Sequence, residues 1–323
     1  MQTPAPWRDA ISNLLHGVAR SALTNRAERI SALYRDGESS GLAIRDEADA
    51  LAYALTRSPA TYGAVHNVLQ RLRERAPHFA PATALDLGAG AGAASWAIAD
   101  HWPGIHSIAQ YDNNKPLLQL GKQIAQNAPA PALQNALQCT GDLTRAEHLP
   151  SADLVVISYM LAELQPAQMD CVVAHAWQQT GAALALIEPG TPAGYRRILR
   201  ARDLLLARQA RILAPCPHQQ PCPLTPPDWC HFAQRIERSR DHRLLKGADL
   251  PYEDEKFSYL IAVRESLFSP AAQGRILARP ERDPNLIHIK LCAADGKLQQ
   301  RRISRRDKDQ YKRARKTEWG EEL

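Results

Sequence analysis

Three glycines that alternate along one short stretch constrain this chain more than any other feature. Residues 83–92 read Thr-Ala-Leu-Asp-Leu-Gly-Ala-Gly-Ala-Gly, so an apolar run ends in Asp86 and then in Gly88, Gly90 and Gly92. The next residues have the composition of a helix. Glycine tolerates positive φ and lets a ligand approach the backbone closely, and the free N–H groups of a helix start attract polar ligands. The stretch predicts a strand, a tight turn and a helix that together bind a ligand.

The order of these residues resembles the first motif of class I S-adenosylmethionine-dependent methyltransferases. It differs from the dinucleotide fingerprint G-x-G-x-x-G, because its glycines alternate strictly. The resemblance implies that Asp86, Gly88, Gly90 and Gly92 belong to a binding site for S-adenosylmethionine.

Two further acids follow predicted strands and extend this site. A nucleoside bound at the turn needs an acid at the end of the second strand, where it accepts hydrogen bonds from ribose hydroxyls. Asp112 lies there, and Asp142 follows the third strand, where this fold commonly contacts adenine. Each acid also has a local explanation, a helix cap for Asp112 and a simple turn for Asp142. Together with the glycine turn they favour nucleoside binding.

Strand-like and helix-like segments alternate from residue 82 onwards, which indicates a parallel sheet covered on both faces. The predicted strands are residues 84–87, 105–111, 136–139, 154–158 and 183–187, with a later return at 257–263. A helix is predicted to begin at Thr191-Pro192 and to continue to about Ile212. We therefore expect an α/β fold, a class I methyltransferase (Rossmann-like) sheet with an N-terminal helical region and a four-cysteine cluster-binding insertion.

The chain divides into five predicted regions. They are a helical N-terminal region (1–80), a methyltransferase core (81–213, joined by strand 257–264), a cysteine-rich insertion (214–256), a hairpin region (265–303) and a basic tail (304–323). In the first region, Ser58-Pro59 is a predicted helix start with serine as its cap. Val65, Leu69 and Leu72 then fall on one face of that helix.

The segment after the fourth strand does not indicate a catalytic residue. Ser-Tyr-Met-Leu-Ala-Glu-Leu at 158–164 lacks the Asp/Asn-Pro-Pro-aromatic motif of methyltransferases that act on the amino groups of bases. It also lacks a Pro-Cys nucleophile for attack on a pyrimidine carbon. The catalytic residues are therefore unassigned. Tyr159 and Glu163 face this region, but we interpret them as a core aromatic residue and a surface acid.

Four of the six cysteines have an arrangement that favours a shared ligand. Cys216, Cys222 and Cys230 fall within 15 residues, in a segment whose positions 214–227 include six prolines, and Cys292 lies in a later strand of the hairpin. Proline at this density excludes helix and central strand, and such a segment buries too little apolar surface to order itself. A metal centre would order it, because metal-binding energy then becomes folding energy.

Four thiolates suit zinc and an iron–sulfur cluster equally well. The cysteine-proline pairs favour a cluster, because iron–sulfur loops often contain them, whereas His218 and His231 keep a mixed zinc site open. Four unrelated free thiols are the remaining alternative.

Beyond the glycine motif, the chain resembles the mitochondrial small-ribosomal-subunit methyltransferase-like assembly factor family and its bacterial relatives. The matching stretches are Cys-Pro-His-x-x-x-Cys-Pro-Leu at 216–224, Asp-Trp-Cys-His-Phe at 228–232, Tyr-Glu-Asp-Glu-Lys-Phe-Ser-Tyr-Leu at 252–260, Ser-Pro-Ala-Thr-Tyr at 58–62 and Glu-Pro-Gly-Thr-Pro at 188–192. The likeness covers residues 50–300. It implies that Cys216, Cys222, Cys230 and Cys292 hold a [4Fe–4S] cluster, and that the protein associates with the small ribosomal subunit during its assembly.

The positive charge of the chain is concentrated near its end. Residues 301–316 contain nine Lys or Arg and two Asp, a net +7, so the rest of a chain of net +6 is at −1. A local basic run indicates a polyanionic partner, and we expect small-subunit ribosomal RNA rather than DNA. No apolar run approaches the roughly 18 residues of a membrane helix, so no membrane partner is expected. The expected location is the cytoplasm of a bacterium, or the mitochondrial matrix if the source is eukaryotic.

These features favour an S-adenosylmethionine-binding, iron–sulfur protein of ribosome assembly and translation that acts on or binds ribosomal RNA. One alternative is a catalytically inert RNA-binding module that keeps only the fold. Another is a small-molecule methyltransferase with a zinc-stiffened loop, which leaves the basic tail without a purpose.

Overall fold

The computed structural model describes residues 1–35, 40–145, 149–270 and 274–322. The helices of these residues are α1 (Ala5–Leu14), α2 (Arg20–Arg35), α3 (Ser40–Ala43), α4 (Glu47–Thr56), α5 (Ser58–Arg75), α6 (Ala93–His101), α7 (Lys115–Ala125), α8 (Pro131–Gln134), α9 (Pro166–Gln179), α10 (Pro192–Ala207), α11 (Arg240–Lys246) and α12 (Lys308–Ala314). The strands are β1 (Thr83–Leu87), β2 (Ser107–Asp112), β3 (Leu137–Thr140), β4 (Ala152–Ser158), β5 (Thr180–Pro189), β6 (Arg211–Ala214), β7 (Phe232–Glu237), β8 (Tyr252–Val263), β9 (Gly274–Ile276), β10 (Glu281–Arg282), β11 (Leu286–Ala293) and β12 (Leu298–Ser304).

The main sheet has the strand order β3-β2-β1-β4-β5-β8-β6, and β7 pairs with β8. The first five of these strands are parallel, and β8 runs antiparallel to β5, β6 and β7. The chain moves outward from β1 to β3 in one direction and from β4 to β5 in the other. A crevice therefore opens at the carboxyl ends of β1 and β4, where open α/β sheets bind ligands. The predicted α/β Rossmann-like fold is confirmed.

Each inner strand buries side chains on both faces of the sheet. Along β4, Leu154 and Val156 join the apolar cluster that includes α5, α6 and α7. Val155 and Ile157 point the other way and join the cluster formed with α9 and α10. Such double burial explains why these strands appear in the sequence as continuous apolar runs.

The N-terminal residues are helical in the described part of region 1–80, as predicted, and residues 36–39 lie outside it. On α5, Val65, Leu69 and Leu72 are fully buried against the sheet. The predicted serine cap is wrong, since Ser58 is the first helical residue and no side chain caps the helix. None of the described helices has the length and apolar character needed to cross a membrane.

Two predicted boundaries are also wrong. The helix expected to reach Ile212 ends at Ala207, and Gln209 follows with φ at 61°. Residues 211–214 instead form β6, which adopts an extended conformation because it pairs with β8. The strand expected to return at residue 257 begins at Tyr252, because its first half pairs with β7. Part of the predicted insertion therefore joins the main sheet.

A second, smaller sheet follows, in the order β10-β11-β12 with β9 paired to β11. β11 and β12 form the predicted hairpin, and Gly296 in its turn has φ at 81°. After α12 the chain returns to this sheet. Gly320 N–H donates to the Ile276 carbonyl at 3.0 Å, and Ile276 N–H donates to the Glu321 carbonyl at 3.0 Å. The end of the described chain is thus anchored beside β9.

Candidate cofactor site and candidate metal centre

A cavity of about 190 Å³ lies at the carboxyl ends of β1, β2 and β4. One side is formed by the glycine turn after β1 and by the residues that follow β2 and β3. The other side is formed by the end of α4, the start of α5, the segment after β4 and part of β8. Four of the six predicted cofactor residues line it, namely Gly88, Gly90, Asp112 and Asp142.

The glycine turn is held against the end of β2 by Asp112. The Gly90 N–H donates to Asp112 Oδ2 at 2.8 Å, and the Asn114 N–H donates to Asp112 Oδ1 at 2.8 Å. Burial raises the pKa of Asp112, although these backbone hydrogen bonds act in the opposite direction. Gly88 has φ at 75°, and a Cβ there would lie 2.7 Å from Met160 Cβ. A larger residue at position 88 would therefore be strained and would collide with Met160.

Asp86 and Gly92 do not line the cavity. Asp86 is fully buried, and its Oδ2 accepts hydrogen bonds from the Ser95 N–H at 3.0 Å and the Ser95 hydroxyl at 2.7 Å. Burial raises the pKa of Asp86 to about 7. Gly92 precedes α6 with φ at 83°. Both residues therefore connect the glycine turn to the start of α6, on the side away from the cavity.

Asp142 lies at the open edge of the cavity. Its Oδ1 accepts hydrogen bonds from the Thr144 hydroxyl at 2.7 Å and the Thr144 N–H at 2.9 Å. These bonds lower the pKa of Asp142. The carboxylate is thus ionised and oriented, with its side chain half exposed.

The opposite end of the cavity contains polar groups that sequence reasoning assigned elsewhere or missed. Tyr159 packs against the main apolar cluster, as expected of a core aromatic residue, and it also lines the cavity. Glu163 lines the cavity too and is only partly exposed. Tyr159 has φ at 58°, and its hydroxyl donates to Glu255 Oε1 at 2.8 Å. Burial raises the pKa of both Tyr159 and Glu255. The positive charge of Arg57 acts in the opposite direction on Glu255, but the pKa of Glu255 remains raised. Glu255 lies in the stretch 252–260 that resembles the family, but nothing in that stretch assigned it to the cavity, which it reaches from β8, 96 residues after Tyr159.

The four predicted cysteine ligands surround one small apolar cavity of about 30 Å³. Cys216, Cys222 and Cys230 come from the proline-rich segment and Cys292 from β11. The Tyr195 hydroxyl lies 3.1 Å from Cys222 Sγ, and His218 Nε2 lies 3.3 Å from Cys292 Sγ. The fold thus brings together sulfur atoms that are up to 76 positions apart in the sequence (292 − 216).

The described residues contain no group of three or more His, Cys, Asp or Glu side chains that could hold a metal ion. A single tetrahedral zinc ion, with Zn–S of about 2.3 Å, needs its sulfur atoms within roughly 4 Å of one another. In a [4Fe–4S] cluster each thiolate binds a different iron, so the sulfurs lie further apart around the cluster. The two kinds of centre therefore require different separations of the same four sulfur atoms.

Burial favours the protonated thiol at Cys216, Cys230 and Cys292. Burial raises the pKa of Cys216, raises that of Cys230 well above its usual range and raises that of Cys292 to about 12. A metal centre would have to displace these protons.

His231 is turned away, stacked on Trp229 with ring centroids 4.9 Å apart, which leaves it outside the cysteine cavity.

The strand order, the reversed β8 and the glycine turn beside a buried acid define a protein of the class I methyltransferase fold. Within that class, the family described as Mitochondrial small ribosomal subunit Rsm22 matches residues 47–323. The chain belongs to this family, which confirms the resemblance found in the sequence.

Two kinds of relative are similar over most of the chain. The human protein named Ribosome assembly protein METTL17, mitochondrial, is 30% identical over 294 residues, which are 84% of this chain and 62% of that protein. The Rsm22-cox11 tandem protein 2, mitochondrial, of Schizosaccharomyces pombe is 23% identical over 364 residues, 96% of this chain and 47% of that protein. The chain thus spans about half to three-fifths of the length of these relatives.

Solved structures of methyltransferases are also similar. Magnesium protoporphyrin IX methyltransferase from Synechocystis PCC 6803 with bound SAM has 14% identity and a TM-score of 0.44, covering 73% of this chain and 97% of that one. A putative RNA methyltransferase from Pyrococcus horikoshii has 12% identity and a TM-score of 0.41, covering 62% and 81%. At such identities these likenesses concern the fold alone.

Proposed function

We propose that this protein binds S-adenosylmethionine beside its glycine turn and acts as a methyltransferase-like assembly factor of the small ribosomal subunit. We further propose that Cys216, Cys222, Cys230 and Cys292 hold a [4Fe–4S] cluster. The observation that carries the first part is the buried Asp112 carboxylate, held by the glycine turn at the edge of a cavity at the switch point of the sheet.

The residues of the cavity fit the nucleoside part of S-adenosylmethionine. A carboxylate offers about four acceptor sites. In Asp112, Oδ2 accepts a hydrogen bond from the Gly90 backbone N–H and Oδ1 accepts one from the Asn114 backbone N–H. It keeps acceptor capacity for ribose hydroxyls. Asp142 offers a second ionised acceptor at the cavity edge, and the positive φ of Gly88 and Gly90 lets a ligand approach the backbone.

Methyl transfer to ribosomal RNA is the finer proposal, and the far end of the cavity supports it. When bound, S-adenosylmethionine supplies an electrophilic methyl group. Glu255 is oriented by the Tyr159 hydroxyl, and its raised pKa suits uptake of a proton from an N–H or O–H acceptor. Arg57 adds a positive charge in the same cavity.

The cysteine cavity supports the cluster proposal by its donor set. Four cysteines line one small cavity whose exposed surface is largely apolar. Zinc remains the alternative occupant, since four thiolates also suit that ion.

Association with the small ribosomal subunit is supported by the names of the family and of the human relative and by the basic run at 301–316. The relatives are named as mitochondrial, and we propose the mitochondrial matrix for a eukaryotic source and the cytoplasm for a bacterial one. Small-subunit ribosomal RNA is the proposed direct partner.

We expect Asp112→Ala to weaken S-adenosylmethionine binding by about 1–3 kcal/mol, because a hydrogen-bonded partner of buried hydroxyl groups is lost. Isothermal titration calorimetry of the full chain measures this. Asp112→Asn keeps the shape of the side chain and should lose less. Asp170→Ala is the matched control, since Asp170 is a surface acid paired with Arg200 outside the cavity.

Unchanged affinity in Asp112→Ala, with wild-type folding by circular dichroism, would remove Asp112 from the site. Failure of the wild-type protein to bind would favour the catalytically inert RNA-binding module. Incubation of small-subunit ribosomal RNA with S-adenosylmethionine labelled in its methyl group then tests transfer separately from binding.

A further inference from the structure

Two arginines are buried against the cysteine cavity. Arg202 on α10 has 1% of its surface exposed and Arg275 on β9 has 3%, and both line the cavity together with the four cysteines. Arginine stays protonated in proteins, so both guanidinium groups carry a full positive charge.

Their protein partners do not neutralise these charges. Arg202 Nη2 donates to the carbonyls of His218 at 3.2 Å and Gln220 at 2.5 Å, and its Nε has no partner in the described part of the chain. The carboxylate that approaches it, that of Asp203, lies 3.7 Å away on a side chain 77% exposed to water. Solvent screens such a partner. Arg202 is therefore a buried cation whose bonds are mainly to neutral carbonyl groups.

Arg275 shares its acid with another arginine. Its Nη2 lies 2.8 Å from Glu322 Oε1, which also pairs with Arg75, while its Nε and Nη1 donate to the carbonyls of Pro215 at 3.1 Å and Gly320 at 2.6 Å. Arg75, Arg275 and Glu322 sum to +1 (2 − 1), and Arg202 brings the total to +2. A buried charge without a counter-ion strongly destabilises a folded protein.

A tetrathiolate centre supplies the missing negative charge. Four thiolates around an oxidised [4Fe–4S]²⁺ core carry a net −2 (2 − 4), and protonated thiols carry none. Hydrogen-bond donors also reach the sulfurs. The Tyr195 hydroxyl lies 3.1 Å from Cys222 Sγ, His218 Nε2 lies 3.3 Å from Cys292 Sγ, and the Arg202 guanidinium lines the same cavity as Cys216. The surroundings of the cavity thus match the charge and the acceptors of such a centre.

We infer that Arg202, Arg275 and Tyr195 form a compensating shell for a dianionic tetrathiolate centre and raise its reduction potential. The inference rests on the proposed [4Fe–4S] cluster and concerns the residues around it. One-electron reduction takes the centre from −2 to −3. Two adjacent cations and a hydroxyl donor stabilise the added electron, because cluster potentials depend on local charge and on hydrogen bonds to sulfur.

The test is a redox titration of anaerobically purified full-length protein, with dithionite as the one-electron reductant and electron paramagnetic resonance as the readout. We expect Arg202→Gln to shift the ratio of oxidised to reduced centre at least tenfold, a potential lower by 59 mV or more. Arg202→Lys keeps the charge and should recover most of that shift. Tyr195→Phe should shift the ratio in the same direction by less. Arg200→Gln, two residues along α10 and largely exposed, is the matched control and should titrate as the wild type.

The outcomes separate this inference from the cluster itself. A wild-type protein with zinc or without iron would overturn the proposed cluster, whatever the arginines do. Iron in all variants with equal potentials in Arg202→Gln and the wild type would overturn the compensating shell and leave the cluster standing. Loss of iron from Arg202→Gln with retention in Arg202→Lys supports the shell, since lysine keeps the positive charge that glutamine lacks. Loss of iron from both variants would mean that Arg202 acts through its hydrogen bonds to the His218 and Gln220 carbonyls, and it would overturn the charge argument.

Discussion

Cys292→Ser should lose the proposed metal centre and loosen two parts of the molecule together. Cys292 lies on β11, while the other three cysteines lie in the proline-rich segment, so this residue joins the small sheet to that segment. Lys290 on the same strand also forms an ion pair with Asp228 of that segment. We expect iron content and visible absorption to disappear. A ligand present at a thousand times its dissociation constant stabilises the folded protein by about 4.1 kcal/mol. Loss of a centre bound that tightly should therefore lower the melting temperature by roughly 8–16 °C.

Iron analysis, the absorption spectrum and thermal denaturation of anaerobically purified protein measure these effects. Cys171→Ser is the control, because Cys171 is an exposed cysteine on α9 away from the cavity. Iron retained at full stoichiometry with an unchanged melting temperature would exclude Cys292 as a ligand. Stoichiometric zinc without iron in the wild type would contradict the cluster and leave the four-ligand site standing.

The candidate cofactor cavity was predictable because its motif is local and its location follows from topology. Gly88, Gly90, Asp112 and Asp142 all follow predicted parallel strands, whose carboxyl ends meet at one edge of the sheet. The same motif also includes residues with another task. Asp86 lies behind the turn and accepts a hydrogen bond from the Ser95 N–H. A sequence motif contains both the residues that face a ligand and those that hold the turn in place, and it does not distinguish between them.

Residues that depend on distant pairing could not be predicted. The segment at 211–214 has good helix formers and becomes β6 only because β8 pairs with it, about fifty positions later. Glu255, Arg202 and Arg275 likewise reach the two cavities from separate elements, and only Glu255 falls in a stretch that resembles the family. The cysteines were recognised by their spacing, whereas the charges around them became visible only in the fold.

The basic run at 301–316 is divided by the structure into two parts that face solvent. Its first residues lie on β12, and most of the others lie on α12 or next to it. The exposed basic residues are Arg302, Arg305, Arg306, Lys308, Lys312, Arg313, Arg315 and Lys316. Among the salt bridges of the described residues, none involves these eight side chains. They form a basic surface that is available to phosphates.

Removing the whole tail would be a poor test of this surface, because the end of the chain supports the cysteine cavity. The Gly320 carbonyl and Glu322 hold Arg275, and a Cβ on Gly320 would come within 2.9 Å of the Phe232 ring. Charge neutralisation in place avoids this damage. The test variant carries Arg305→Gln, Arg306→Gln, Lys312→Gln and Lys316→Gln.

We expect this variant to bind small-subunit ribosomal RNA about tenfold or more weakly at moderate salt, with a flatter dependence of affinity on salt. Each lost phosphate contact should reduce the slope of log affinity against log salt by about 0.7–0.9, so four contacts amount to about 3. Filter binding over a salt series measures both quantities. The control carries four glutamines at exposed basic positions elsewhere, namely Arg73, Lys122, Arg208 and Arg240. Affinity for S-adenosylmethionine should be unchanged in both variants, because the glycine turn lies in the main sheet. Equal slopes for the test variant and the wild type would mean that the basic surface is only solvated and that the RNA contact lies elsewhere.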